Sequence, residues 1–124
     1  MHKIAVYGTL KKPYGNHRII EDQEFIQDDL VEFSSIECCG FPMTKFDTWT
    51  DKWLKVEIYN VDDEAFKRCD SLEGNWHFYN RKEVTTKWGL KVWIYEIMRD
   101  IKDESQRFLE ESNIYNWTRT WRSY

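Results

Sequence analysis

The stretch Trp53-Leu54-Lys55-Val56-Glu57-Ile58-Tyr59-Asn60-Val61-Asp62-Asp63-Glu64-Ala65-Phe66-Lys67-Arg68-Cys69-Asp70-Ser71-Leu72-Glu73-Gly74 holds two hydrophobic periods in succession. From Trp53 to Val61 the side chains alternate. Trp53, Lys55, Glu57 and Tyr59 fall on one face and Leu54, Val56 and Ile58 on the other, the period of a strand covered on one side. From Asp62 onward the pattern is helical. Asp62 is a good N-cap, Asp63 and Glu64 suit the positive end of the helix dipole, and Val61 and Phe66 occupy the staple positions. Gly74 is predicted to stop this helix at C′.

Working outward, strands dominate. His2 to Tyr7 reads as a first strand, ended by Gly8 and then by Lys11-Lys12-Pro13-Tyr14-Gly15-Asn16. Phe25 to Phe33 is a second, which Ile36 to Cys39 continues, and Gly40-Phe41-Pro42 is punctuation. Downstream, Tyr79 to Thr86 and Leu90 to Met98 form a hairpin across Trp88-Gly89. A second helix is expected from about Asp103 to Ser112, with Phe108 and Leu109 inside. The tail Asn113 to Tyr124 carries Tyr115, Trp117, Trp121 and Tyr124, too aromatic for a free end, and is expected to pack back. Many strands interrupted by one or two helices make an α+β fold.

One residue in the helix does not fit its surroundings. On a wheel of about 100° per residue, Ala65, Phe66, Cys69 and Leu72 form an apolar stripe, and Glu73 falls inside it. The other polar residues of the segment lie outside. Two readings follow: a carboxylate aimed at the interior, or a side chain at a fraying end that turns to solvent. The first carries a chemical consequence. Burial raises a carboxylate's pKa, and the negative end of the helix dipole adds to the effect. A carboxyl that titrates near neutrality suits proton transfer. A second candidate is Tyr7-Gly8-Thr9-Leu10, where a strand ends in glycine. It is either a plain turn or a nest of backbone N–H groups for an oxyanion.

Composition bounds the rest. The 124 residues fit one domain spanning 1–124, and aromatics at 17% supply a core without metal or disulfide staples. A net charge of −4 offers no basic field for nucleic acid. No signal-peptide core and no run approaching the ~20 apolar residues of a membrane span is present, so the expected location is the cytoplasm. Cys38, Cys39 and Cys69 are an odd set that does not read as a disulfide framework, and His2, His17 and His77 stand at no metal-ligand spacing.

Several blocks, in order and spread over most of the chain, resemble the gamma-glutamylcyclotransferase-like (AIG2-like) family, closest to its small members that act on gamma-glutamylamines. They are Val6-Tyr7-Gly8-Thr9-Leu10-Lys11, Gly15-Asn16-His17-Arg18, Phe41-Pro42, Val56 to Asp62, Cys69-Asp70-Ser71-Leu72-Glu73-Gly74 and Phe78-Tyr79-Asn80-Arg81. Where many relatives carry a proline after the Glu-Gly pair, this chain has Asn75-Trp76-His77. The resemblance implies a mixed β-barrel with flanking helices. It implies an enzyme that cyclises a gamma-glutamyl amide or amine to 5-oxoproline and releases the amine. Glu73 matches the catalytic glutamate. Tyr7, Gly8, Thr9 and Leu10 would grip the glutamyl end, and Phe41 and Tyr79 would complete the substrate pocket. The implied partner is a small gamma-glutamyl molecule, with no cofactor, no metal, no nucleic acid and no membrane, in a monomer or weak homodimer.

The alternative is a non-catalytic module that holds a small metabolite or peptide in the same pocket. A third reading makes the aromatic tail, with Arg119 and Arg122 among its tryptophans, an interaction surface. Arg81 either binds a substrate carboxylate or pairs with an acid on a neighbouring strand. His77 is a further acid or base, or a surface loop histidine.

Overall fold

A computed structural model of the protein describes residues 1–8, 10–12, 14–38, 41–111 and 114–116, except the side chains of 75–77 and 108–111. Its principal sheet contains β1 (His2–Val6), β2 (Glu24–Glu32), β5 (Trp53–Val61), β6 (Tyr79–Thr85), β7 (Lys91–Ile97), β8 (Leu109–Glu111) and β9 (Ile114–Tyr115). The path runs β6-β7-β1-β5-β9-β8, with β2 along the other side of β5. β3 (Ser35–Cys38) and β4 (Pro42–Lys45) form a separate antiparallel pair, and α1 (Asp63–His77) follows β5 directly.

The sheet is mixed. β1 lies antiparallel to β5, with Ile4 opposite Tyr59, and parallel to β7, with Ile4 opposite Trp93. A strand with neighbours on both edges and buried on both faces reads as a continuous apolar run, and Ile4, Ala5 and Val6 are all buried. The alternation in β5 holds through Ile58, with Leu54, Val56 and Ile58 buried and Lys55 exposed; Tyr59, on the face of Lys55, is buried too, under the rings of His17 and Phe25. The β6–β7 hairpin turns at Gly89, whose φ of 87° suits a residue without a Cβ.

The α+β class is as expected, but the sheet does not close into a barrel among the described residues. β6 ends at Thr85, and the chain turns there into β7. One main-chain bond, from Lys87 N–H to the Leu30 carbonyl at 2.9 Å, spans from that turn to β2.

Three local expectations are corrected. The helix does not stop at Gly74. It runs to His77 and ends at Phe78, which takes the left-handed conformation itself (φ 58°, ψ 41°), because Tyr79 must enter β6 opposite Ile97. The punctuation at Phe41-Pro42 opens β4, paired with β3, which is thus not a continuation of β2. In place of the helix expected over Asp103–Ser112, the described residues form one 3-10 turn over Ser105–Phe108 followed by β8; Ser112 and the side chains of Phe108 and Leu109 lie outside them. Tertiary bonds hold that segment: Glu104 N–H donates to the Ile36 carbonyl at 2.7 Å, and Asp103 and Glu104 carboxylates accept from Ile36 and Cys38 N–H groups.

The tail returns as expected where it is described. β9 pairs with the start of β5, and Tyr115 is buried with its ring edge-on to Phe33, centroids 4.9 Å apart. Trp117, Arg119, Trp121, Arg122 and Tyr124 lie outside the described residues. No helix among the described residues is long and apolar enough to cross a membrane.

Candidate active site

Three elements deliver the site. β1 is paired on both edges, by β5 and β7, so the loop after Val6 leaves from a strand held inside the sheet. Lys11 N–H bonds the Gly8 carbonyl at 2.9 Å, and the His17 ring shares a 2.9 Å hydrogen bond with the Leu10 carbonyl. These bonds fold the segment after β1 back on itself. Gly8 is required by close approach: a Cβ there would stand 3.0 Å from Pro42 Cγ, at the start of β4. The third element is α1. Asp62 caps it, its carboxylate accepting from Ala65 N–H at 2.8 Å. The stripe predicted by the wheel is buried at Ala65, Phe66 and Cys69.

Glu73 lies in that stripe and faces inward; its residue surface is only 8% exposed. It lines a pocket together with Tyr7, Gly8, Leu10, Phe41 and Tyr79. The structure therefore brings together the predicted site residues that it describes. Thr9, the remaining member of the loop, lies outside the described residues, as does the His77 side chain. The cavity itself is small, about 30 Å³, room for little more than a water molecule, and it opens to solvent.

The electrostatics follow from the lining. Burial pushes the Glu73 carboxyl up to about 8. Desolvation is the cause; the helix dipole contributes less than the sequence suggested, because α1 continues a full turn beyond Glu73. Among the described residues no hydrogen bond reaches this carboxylate, although three tyrosines share the pocket with it. Tyr7 Oη donates to the Tyr95 carbonyl at 2.6 Å, Tyr79 Oη donates to the Pro42 carbonyl, and Tyr95 Oη donates to Asp70 Oδ1 at 2.6 Å. Burial also raises the Tyr7 hydroxyl well above its ordinary value, with the Glu73 charge adding to it.

Pro42 and Tyr95 line the pocket and were not foreseen in it. Tyr95 carried one available signal: a tyrosine in a strand with buried Val92, Ile94 and Ile97 must find a partner for its hydroxyl. Arg81 pairs with an acid, but from α1 rather than from a neighbouring strand: its Nε lies 3.2 Å from Asp70 Oδ1. Its guanidinium also sits over the Phe66 ring at 4.3 Å. Among the described residues no group of three or more His, Cys, Asp and Glu side chains is placed to hold a metal ion.

Comparison with known proteins gives these features a setting. A relative from Pyrococcus horikoshii, provisionally named a gamma-glutamylcyclotransferase, is 34% identical over 94 residues, covering 76% of this chain and 77% of its own. The gamma-glutamylaminecyclotransferase of Rattus norvegicus is 29% identical over 99 residues, 70% of this chain and 64% of that one. A crystal structure of an uncharacterized protein from Pyrococcus horikoshii superposes with a TM-score of 0.69 at 32% identity, over 83% of each chain. An AIG2-like protein of Mus musculus has the same fold, with a TM-score of 0.67 at 21% identity over 79% of this chain and 78% of that one. The family model described as gamma-glutamyl cyclotransferase, AIG2-like, matches residues 4–119, and the chain belongs to that family.

Proposed function

We propose that this protein cyclises a gamma-glutamyl amide or amine to 5-oxoproline and releases the amine, with Glu73 moving the protons. One observation carries this reading: a buried carboxylate without a hydrogen bond among the described residues, on the wall of a pocket shared with Tyr7, Gly8 and Leu10. Family membership and the names of the relatives support the same chemistry.

In this mechanism the ionised Glu73 takes a proton from the substrate's α-ammonium group. The freed amine attacks the γ-carbonyl carbon of the same molecule and closes a five-membered ring. The tether between nucleophile and electrophile supplies much of the rate. Backbone N–H groups of the Tyr7–Leu10 segment, Thr9 included, hold the glutamyl end. Phe41 and Tyr79 wall the pocket. Protonated Glu73 then gives its proton to the departing nitrogen as the C–N bond breaks. The surplus proton on the ring nitrogen follows it, so the amine leaves as ammonium. A carboxyl poised near 8 can both accept and return a proton at neutral pH. No step calls for a cofactor.

The test is incubation with a panel of gamma-glutamyl dipeptides and gamma-glutamylamines, followed by mass spectrometry for 5-oxoproline. Turnover that Glu73→Gln abolishes is the expected result. Equal turnover by that variant, or none across the panel, overturns the assignment. Retention of an unchanged ligand in native mass spectrometry identifies a binding module instead.

A further inference from the structure

Three tyrosines line the pocket beside a carboxylate that none of them bonds. A tyrosine hydroxyl has one proton to donate. The acceptors of Tyr7 and Tyr79 are main-chain carbonyls in β7 and at the start of β4, parts of the fold itself. The acceptor of Tyr95 is a side chain, Asp70, three residues before Glu73 on α1. Asp70 is in turn held by Arg81 from β6 at 3.2 Å, and Arg81 is seated on the Phe66 and Trp93 rings at 4.3 and 5.2 Å.

We propose that Asp70 is a positioning residue for Glu73: by holding the Tyr95 hydroxyl proton, it denies the neighbouring pocket carboxylate a hydrogen-bond donor and so keeps that carboxylate basic. The physical chemistry is direct. A donor to an ionised carboxylate stabilises the charged form and lowers its pKa, so withholding the donor keeps the pKa up. Glu73 and Tyr95 line the same pocket, and the Glu73 charge acts on the Tyr95 hydroxyl. The titratable groups that face Glu73 are Tyr7 just after β1, Tyr79 from β6, Tyr95 from β7 and Cys69 on its own helix; those that face Asp70 are Tyr95 and Arg81. Among the described residues, Tyr95 is the tyrosine of this set whose hydroxyl donates to a side chain, so its proton is the one that a substitution can release.

The inference rests on the reading of Glu73 as the proton carrier, but its test does not depend on turnover. The Glu73 carboxyl is followed by carbon NMR of glutamate-labelled protein, assigned by the signal missing in Glu73→Gln. Asp70→Ala lowers the midpoint of that titration by about one pH unit, because Tyr95 turns to Glu73. Tyr95→Phe alone does not lower it. The double variant Asp70→Ala, Tyr95→Phe returns it to near the wild-type value. Asp70→Asn, close to isosteric and a weaker acceptor, shifts it in the same direction by less and serves if the alanine variant fails to fold. An unchanged midpoint in a folded Asp70 variant overturns the proposal. So does a fall that persists in the double variant, since the loss of the Asp70 charge alone then explains it. If the protein turns substrate over, the acid limb of kcat/KM moves with the NMR midpoint. If it does not, the NMR result still decides the role of Asp70, and the cyclotransferase reading fails separately.

Discussion

The Tyr7 hydroxyl donates to the main-chain carbonyl of Tyr95 at 2.6 Å, joining the end of β1 to β7 beside the Glu73 carboxylate. The bond is buried and ties the loop that follows β1 to the sheet from which Tyr95 lines the pocket. Tyr7→Phe removes the donor and keeps the ring. A buried hydrogen bond of this kind contributes about 1–2 kcal/mol, so thermal denaturation should show Tm lowered by roughly 4–8 °C. An unchanged Tm would mean that the bond adds nothing net.

The raised Glu73 pKa makes stability depend on pH in a definite direction. Its folded value of about 8 lies above the ordinary 4.5. Between those values the unfolded chain releases the proton and the folded chain keeps it, so this group lowers stability as pH rises through that window. The effect is on the order of 5 kcal/mol in full. Glu73→Gln has no such proton. Urea unfolding at a series of pH values should show the variant gaining on the wild type from pH 5 to 8. A constant difference across that range would contradict the burial of an ionisable group here.

The same value sets the expected activity profile. In the free enzyme the base form of Glu73 grows as pH rises through about 8, so kcat/KM for a gamma-glutamyl substrate should climb across that region. An acid limb near 4.5, the ordinary carboxyl value, would assign the proton transfer to another group.

Gly8 tests the close approach of the loop to β4. In Gly8→Ala the new Cβ meets Pro42 Cγ at 3.0 Å and Cδ at 3.1 Å, so either the loop or the proline ring must give. Overpacking of this kind costs about 1–3 kcal/mol. It also moves the segment that would grip the substrate, and kcat/KM should fall by roughly tenfold or more, since positioning errors of about an ångström are costly. A melting curve and steady-state kinetics on the same sample separate the two effects.

Cys69 should be inert. It is buried on the inner face of α1, and desolvation, with help from the charges of Glu73 and Asp70, pushes its thiol up to about 12. Alkylation with iodoacetamide near pH 7.5 followed by peptide mapping should modify half-buried Cys38 before Cys69, which is reached only on unfolding. Early labelling of Cys69 would show that α1 opens readily.

Most of the secondary structure could be read directly from residue spacing. The β5 boundaries, Trp53 and Val61, are those the alternation predicted, and the hairpin turns where Trp88-Gly89 predicted. The inward direction of Glu73 was legible too, because it depends only on its angular position relative to Phe66 and Cys69 on one helix. The choice between an inward side chain and one turned to solvent was settled by length: α1 runs on past Glu73, which is therefore not at a fraying end.

What lay beyond the sequence was every feature whose partner is distant along the chain. Nothing local marks Pro42–Lys45 as a strand; it is one because β3 pairs with it, and Pro42 then supplies the carbonyl that receives the Tyr79 hydroxyl. The 103–112 segment has helical spacing, but bonds to Ile36 and Cys38 hold its start and β9 pairs Leu109 and Glu111. The partners of Tyr7, Tyr79 and Tyr95, which leave Glu73 without a donor among the described residues, lie 88, 37 and 25 residues away. Periodicity reports which face of an element is covered, and that was enough to place a carboxylate indoors. Which hydrogen bonds it finds there depends on chains meeting in space, and only the tertiary structure decides that.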